Sequence, residues 1–144
     1  MRVIIQRAKK SNVKVKGKVV GEINSGFVLL VSFTEGDNIE TIKKMIHKIL
    51  SLRIFDDSEG IMNLAIDKER QAILSISQFT LYARTDKGNR PSYVDALNGE
   101  KAQVLYDLFN ELLRKEIHVE TGIFGAEMEV NIINDGPITI CLEY

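Results

Sequence analysis

The 144-residue chain has one cysteine, two prolines and two histidines, and each scarcity excludes something. A lone thiol, Cys141, cannot close an internal disulfide, which suits a reducing compartment and makes the cytoplasm the expected location. His47 and His118 have no partner at ligand spacing, so no metal site is expected. No H-E-x-x-H, C-x-x-C or G-x-S-x-G pattern occurs, and no phosphate-cradling glycine loop precedes a helix. Catalysis by histidine and a bound cofactor are therefore both unexpected. With no Pro/Ser-rich linker, residues 1–144 read as one domain. No apolar run reaches bilayer-spanning length, and "MRVIIQRAKK" lacks the apolar segment and cleavage site of a secretory signal, so no membrane partner is expected.

What is present suits a globular domain: 44% hydrophobic residues for a core and 27% charged residues for a surface. The net charge of −1 hides an asymmetry, because residues 1–18 hold seven of the nineteen basic residues and no acidic one. That local patch could meet a polyanion. Lys14, Lys16 and Lys18 also alternate with Val13, Val15 and Gly17, as the solvated face of a strand would.

The spacing of apolar residues predicts the elements. Val3 to Ile23 reads as two strands joined near "KGK", and "GFVLLVSF" (26–33) as a buried strand. Ile39, Ile42, Met45, Ile46, Ile49 and Leu50 trace one helical face, with Asp37 and Glu40 resembling a capping box. "RIFDDSEGIMNLAI" reads as strand, acidic turn and short strand. A second helix is expected over about 99–116, carrying Ala102, Leu105, Tyr106, Phe109, Leu112 and Leu113. "HVETGIF", "EMEVNII" and "ITICLE" read as closing strands. The expected class is α+β: a mostly antiparallel sheet or open barrel with two main helices packed on one side.

"AILSISQFTLYA", residues 72–83, starts as a buried strand and turns polar halfway. In a regular strand Leu74, Ile76, Gln78, Thr80 and Tyr82 share a face, so Gln78 and Thr80 continue a face that begins as core. A buried amide or hydroxyl needs a hydrogen-bond partner. The pair is thus either bonded internally or lines a polar pocket. A bend at the strand end would turn the N–H groups of Phe79 and Thr80 toward a ligand, where such donors can hold a developing oxyanion. In "NDGPIT", Gly136 tolerates φ values closed to other residues and Pro137 admits a cis bond, although by itself the segment reads as an ordinary trans turn. Cys141, alternating with Ile140 and Leu142, reads as a small core residue.

Six stretches, "MRVIIQRA", "LRIFDDSEGIMNLAI", "SQFTLYA", "KGNRPSY", "VETGIFGAEMEV" and "NDGPIT", give the chain an end-to-end resemblance to the D-aminoacyl-tRNA deacylases, the D-Tyr-tRNA deacylase family. The pairing of "SQFTL" with a late "NDGP" is its specific part. The resemblance implies a homodimer with active sites at the subunit interface, hydrolysing the ester that joins a D-amino acid to the terminal adenosine of tRNA. Ser77, Gln78, Phe79 and Thr80 match the pocket motif. Gly136 and Pro137 match a Gly-cisPro motif that enters the other subunit's pocket as a chirality filter. Met128 matches a position near the aminoacyl group. A related branch, which edits L-alanine on a threonine tRNA, carries a different segment at Ser77-Gln78.

Lys14, Lys16, Arg84, Lys87 and Arg90 are the residues expected to meet tRNA phosphates. Two mechanisms fit an already activated ester: Thr80 Oγ as nucleophile, or backbone donors with the ribose 2′-OH assisting a water. Glycyl-tRNA, lacking a side chain to exclude, is an expected further substrate. The competing reading is a non-catalytic tRNA- or RNA-binding dimer.

Overall fold

The computed structural model describes residues 1–144. Its first four strands are β1 (Arg2–Ala8), β2 (Ser11–Val15), β3 (Lys18–Ile23) and β4 (Gly26–Ser32). Helix α1 (Ile39–Ser51) follows, then β5 (Phe55–Asp56), β6 (Met62–Leu64) and β7 (Ala72–Ser77). After helix α2 (Gly99–Arg114) come β8 (His118–Thr121), β9 (Glu129–Asn131) and β10 (Asn134–Glu143). The N-terminal segment therefore forms three strands, where two were expected. The extra break falls at Lys9–Lys10, two solvated residues between the buried Ala8 and Ser11.

The main sheet has the order β10-β1-β4-β7-β8. β1 pairs antiparallel with both β10 and β4, whereas β4–β7 and β7–β8 are parallel. Parallel neighbours need a long crossover, and each helix supplies one. Both helices consequently cover the same face of the sheet. There Ile42, Met45 and Ile49 of α1 and Phe109 and Leu113 of α2 pack on Val3, Ile5, Phe27, Leu29 and Ile73 in one apolar cluster. Full burial of one such side chain contributes roughly 1.5–3 kcal/mol.

The second sheet, β3-β2-β9, covers part of the opposite face, where Val13 and Ile23 meet Val28, Leu74 and Ile76. This explains why β7 is apolar at consecutive positions. Ile73 faces the helices, while Leu74 and Ile76 face the second sheet. The remaining hairpin, β5–β6, is antiparallel.

Two expectations change at the level of single residues. Asn38 caps α1, its side chain accepting from the N–H of Glu40 (2.9 Å) and Thr41 (3.3 Å). Asp37 instead accepts from the Thr34 N–H at 2.8 Å and pairs with the Met1 ammonium at 2.6 Å. Cys141 is exposed, not core, because Ile138, Ile140 and Leu142 take the inward positions of β10. The alternation is real, with the opposite phase. No helix is long and apolar enough to cross a membrane.

Candidate active site

β4 and β7 run side by side and stop together, with Val31 paired to Ser77. The next N–H, that of Gln78, still donates to Val31 O at 2.8 Å, after which Phe79–Tyr82 form a 3-10 turn. Gln78 and Thr80 are therefore not one face of a continuing strand, as the alternation suggested. The turn is held by Leu81 N–H to Gln78 O (3.2 Å), Ala83 N–H to Thr80 O (3.0 Å) and Ser32 Oγ to Phe79 O (3.4 Å). The N–H groups of Phe79 and Thr80, first in the turn, have no acceptor within it.

Beside this turn lies a cavity of about 620 Å³. The ends of β4 and β7 form one wall, through Val31–Phe33 and Ile76–Phe79, and α2 contributes Ala102 and Tyr106. Phe124, Met128 and Val130 close the far side. Phe79 is 57% exposed and stands at the mouth, edge-on to Tyr93 with ring centroids 5.0 Å apart. No Asp, Glu, Lys, Arg, His or Cys lines the cavity. Tyr106 is buried and donates its hydroxyl to Ser75 O at 2.8 Å, and burial raises its pKa, so it stays neutral. Sequence reasoning does not find Tyr106 and Phe124 as site residues, because a tyrosine at helical spacing is indistinguishable from core.

The structure brings Ser77, Gln78, Phe79 and Met128 onto this cavity. Met128 reaches it because Gly122 leaves room: a Cβ there would overlap the Met128 sulfur. Thr80 is not among the lining residues. Its Oγ1 accepts a hydrogen bond from Gln78 Nε2 at 2.5 Å.

Gly136 and Pro137 lie elsewhere. The Gly136–Pro137 bond is cis and sits within β10, not in the ordinary trans turn that the local sequence suggested. Both residues are exposed. The Asn134 end of β10 lies across Ala8 from Gly26, the start of β4, whereas the cavity adjoins Ser32, its end. Along the sheet that is about 20 Å, and the three strand spacings from β10 to β7 add roughly 14 Å sideways. One chain does not bring the motif to its own cavity.

Behind the motif, Arg7 is buried and donates to Ile54 O at 2.9 Å and to Asp135 O at 3.3 Å. It also pairs with the Asp135 carboxylate at 3.2 Å and that of Asp56 at 3.4 Å. Asp135 immediately precedes Gly136, so Arg7 fixes the backbone that leads into the motif.

The basic candidates separate by pairing. Lys14 forms an ion pair with Glu129 at 3.3 Å, and Arg84 Nη2 donates to Asp95 Oδ1 at 2.6 Å. Lys16, Lys87 and Arg90 are exposed and outside any ion pair. Lys87 and Arg90 occupy a loop closed by reciprocal Arg84–Ser92 backbone bonds, next to Tyr93 on the cavity rim. Lys14 and Lys16 border a smaller groove that shares Ala126 and Met128 with the main cavity.

A family model described as D-Tyr-tRNA(Tyr) deacylase matches residues 4–143. A protein of Clostridium acetobutylicum named D-aminoacyl-tRNA deacylase is 49% identical over 144 residues, covering 99% of this chain and 97% of its own. One of the same name from Lactobacillus gasseri is 51% identical over 144 residues, covering 99% of each. A solved structure of a protein named c-Myc DNA Unwinding Element Binding Protein matches with TM-score 0.94 and 36% identity, over 100% of this chain and 99% of that one. Another, of a probable eukaryotic D-amino acid tRNA deacylase, matches with TM-score 0.82 over 98% and 97%. At 18% identity, that last likeness concerns the fold.

Proposed function

The chain belongs to the D-Tyr-tRNA(Tyr) deacylase family, and from that premise we propose that its 144 residues act as one domain that hydrolyses the ester of D-aminoacyl-tRNA. The products are a free D-amino acid and tRNA. The observation that carries the mechanism is a 3-10 turn beside the cavity whose first two N–H groups have no acceptor within the turn, next to a lining with no ionisable acid or base besides tyrosine. An aminoacyl ester is already activated. Its hydrolysis needs an oriented water and a stabilised oxyanion, and donors aimed at developing charge are a large catalytic term. Phe79 and Thr80 N–H supply those donors, and the ribose 2′-OH of the substrate assists the water. Ser77, Gln78 and Met128 shape the pocket.

Thr80 as nucleophile has less support, because its hydroxyl is turned onto Gln78 and no base stands beside it. Thr80→Ala should therefore retain activity within about tenfold, whereas removal of an obligatory nucleophile costs several powers of ten. Complete loss in single-turnover assays of a folded variant would restore Thr80 as the nucleophile.

We further propose that the enzyme is a homodimer in which Gly136 and Pro137 of one subunit enter the pocket of the other. Their exposure, their distance from their own cavity and the position of β10 at a sheet edge support this reading.

The tRNA end is held by phosphate contacts from Lys16, Lys87 and Arg90, with Lys14 and Arg84 shared with their acidic neighbours. Binding should weaken steeply with salt, since each neutralised phosphate releases counterions. Lys16→Ala should flatten that dependence more than Lys14→Ala, because the Lys14 charge is already matched by Glu129. Equal slopes for both variants and the parent chain would assign these lysines to a solvated strand face.

A second reading, nucleic-acid binding without catalysis, draws on the structural neighbour whose name includes DNA binding. Incubating the pure protein with D-Tyr-tRNA and L-Tyr-tRNA separates the two. Loss of the D-ester alone is expected, and tRNA binding with both esters intact would favour the second reading.

A further inference from the structure

The 3-10 turn that presents the Phe79 and Thr80 N–H groups is only four residues long. Single i→i+3 bonds are too weak to orient such a turn by themselves. At its start it is anchored by the Gln78 N–H to Val31 O bond and by Ser32 Oγ to Phe79 O. Its far end is anchored by one side chain, Arg2, whose Nη1 donates to Leu81 O.

Arg2 is itself fixed from two further directions. Its Nη2 donates to both carboxylate oxygens of Glu143, at 2.9 and 3.0 Å. Its guanidinium lies over the ring of Tyr82, 4.5 Å from the centroid. Tyr82 belongs to the same turn and is buried, and burial first, then the nearby Asp37 carboxylate, push its hydroxyl up to about 12. It is therefore a neutral platform under the cation at any working pH. The pairing of Arg2 with Glu143 across β1–β10 and with Ser32 across β1–β4 places the guanidinium at the cavity end of the sheet.

We infer that Arg2 is a positioning residue for the deacylation: clamped between Glu143 and Tyr82, it holds the Leu81 carbonyl and so sets the direction of the Phe79 and Thr80 N–H donors. It touches neither substrate nor the reacting atoms. The inference rests on the reading that those N–H groups hold the oxyanion. A transition-state donor is sensitive to small displacements, and a misplacement of about 1 Å can cost roughly a hundredfold in rate.

The test compares Arg2→Met, which keeps the stem and removes the guanidinium, with Arg2→Lys and Glu143→Gln, using D-Tyr-tRNA under single-turnover and steady-state conditions. Arg2→Met should lower kcat between about tenfold and a hundredfold, with KM and the salt dependence of tRNA binding unchanged. Arg2→Lys, which retains a donor for Leu81 O, should recover part of the loss, and Glu143→Gln should lose less than Arg2→Met. An unchanged kcat in Arg2→Met overturns the inference. So does a raised KM with a flatter salt slope at constant kcat, which would make Arg2 a tRNA contact. A loss that follows the melting temperature and is not recovered by Arg2→Lys would make it a fold residue only. The parent enzyme, run in parallel, separates these results from the functional reading: failure of the parent to hydrolyse D-Tyr-tRNA sinks that reading and leaves the geometry of Arg2 untouched.

Discussion

Glycyl-tRNA should be hydrolysed measurably, while L-alanyl-tRNA, larger by one methyl group, survives the same enzyme concentration. The reason lies in the size and lining of the cavity. At about 620 Å³ and with mostly apolar walls, it is too roomy to reject a methyl by its own contacts. A methyl in an apolar pocket changes rates only about 10–200-fold. Stronger rejection needs a rigid obstacle facing the α-carbon, and the proposed obstacle is the Gly136–Pro137 backbone of the partner subunit. Gly136 sits at a φ of +120° that side chains rarely adopt, and without a Cβ it lets the backbone approach closely. Exclusion acts on the direction of a side chain, so glycine, having none, escapes it. Time courses with Gly-, D-Ala- and L-Ala-tRNA decide the matter. A Gly to L-Ala rate ratio well beyond about 200 supports the obstacle. If Gly-tRNA is as resistant as L-Ala-tRNA, the site reads the D side chain positively and exclusion fails.

Arg7→Met should cost stability and stereochemical discrimination together. Arg7 is 7% exposed, and removing it leaves the Ile54 carbonyl without its donor and the Asp135 carboxylate without this partner. Breaking a fully buried pair costs roughly 3–5 kcal/mol. Asp56 and Asp135 are partly solvated, so the expected loss here is smaller, about 2–3 kcal/mol. It should appear in urea unfolding as a lower midpoint with an unchanged slope. Since Asp135 leads directly into Gly136, the released segment should also admit L-substrates, raising hydrolysis of L-Tyr-tRNA relative to D-Tyr-tRNA. Arg7→Lys keeps the charge but not the planar fork that serves Ile54 O and Asp135 at once, so it should recover little. A lower midpoint with an intact D/L ratio would confine Arg7 to the fold, and an unchanged midpoint would remove it from both roles.

Sequence periodicity located α1 and α2 closely, because each helix buries one face and the apolar residues repeat accordingly. It also marked Ser77–Thr80 as unusual, since polar side chains interrupt an apolar strand only where something satisfies them. It could not supply the turn. A strand and a strand ending in a 3-10 turn share the same residues up to Ser77, and the side chains that hold the turn, Ser32 on Phe79 O and Arg2 on Leu81 O, are both remote in sequence. The exposure of Cys141 escapes the sequence for a similar reason: alternation gives two faces, and only the placement of the helices tells which is inside.

By itself, then, the amino-acid order determined the two α-helices, their apolar faces and the presence of two motifs. These are local properties, set by a repeat of 3.6 or 2 residues and by the backbone chemistry of glycine and proline. Tertiary structure alone decided which charges remain free for a polyanion, since Lys14 meets Glu129 and Arg84 meets Asp95 only after folding. It alone set the Gly136–Pro137 motif at the far end of the sheet from its own cavity. Distance in space between segments far apart in the chain follows from strand order and register, and no local pattern encodes either.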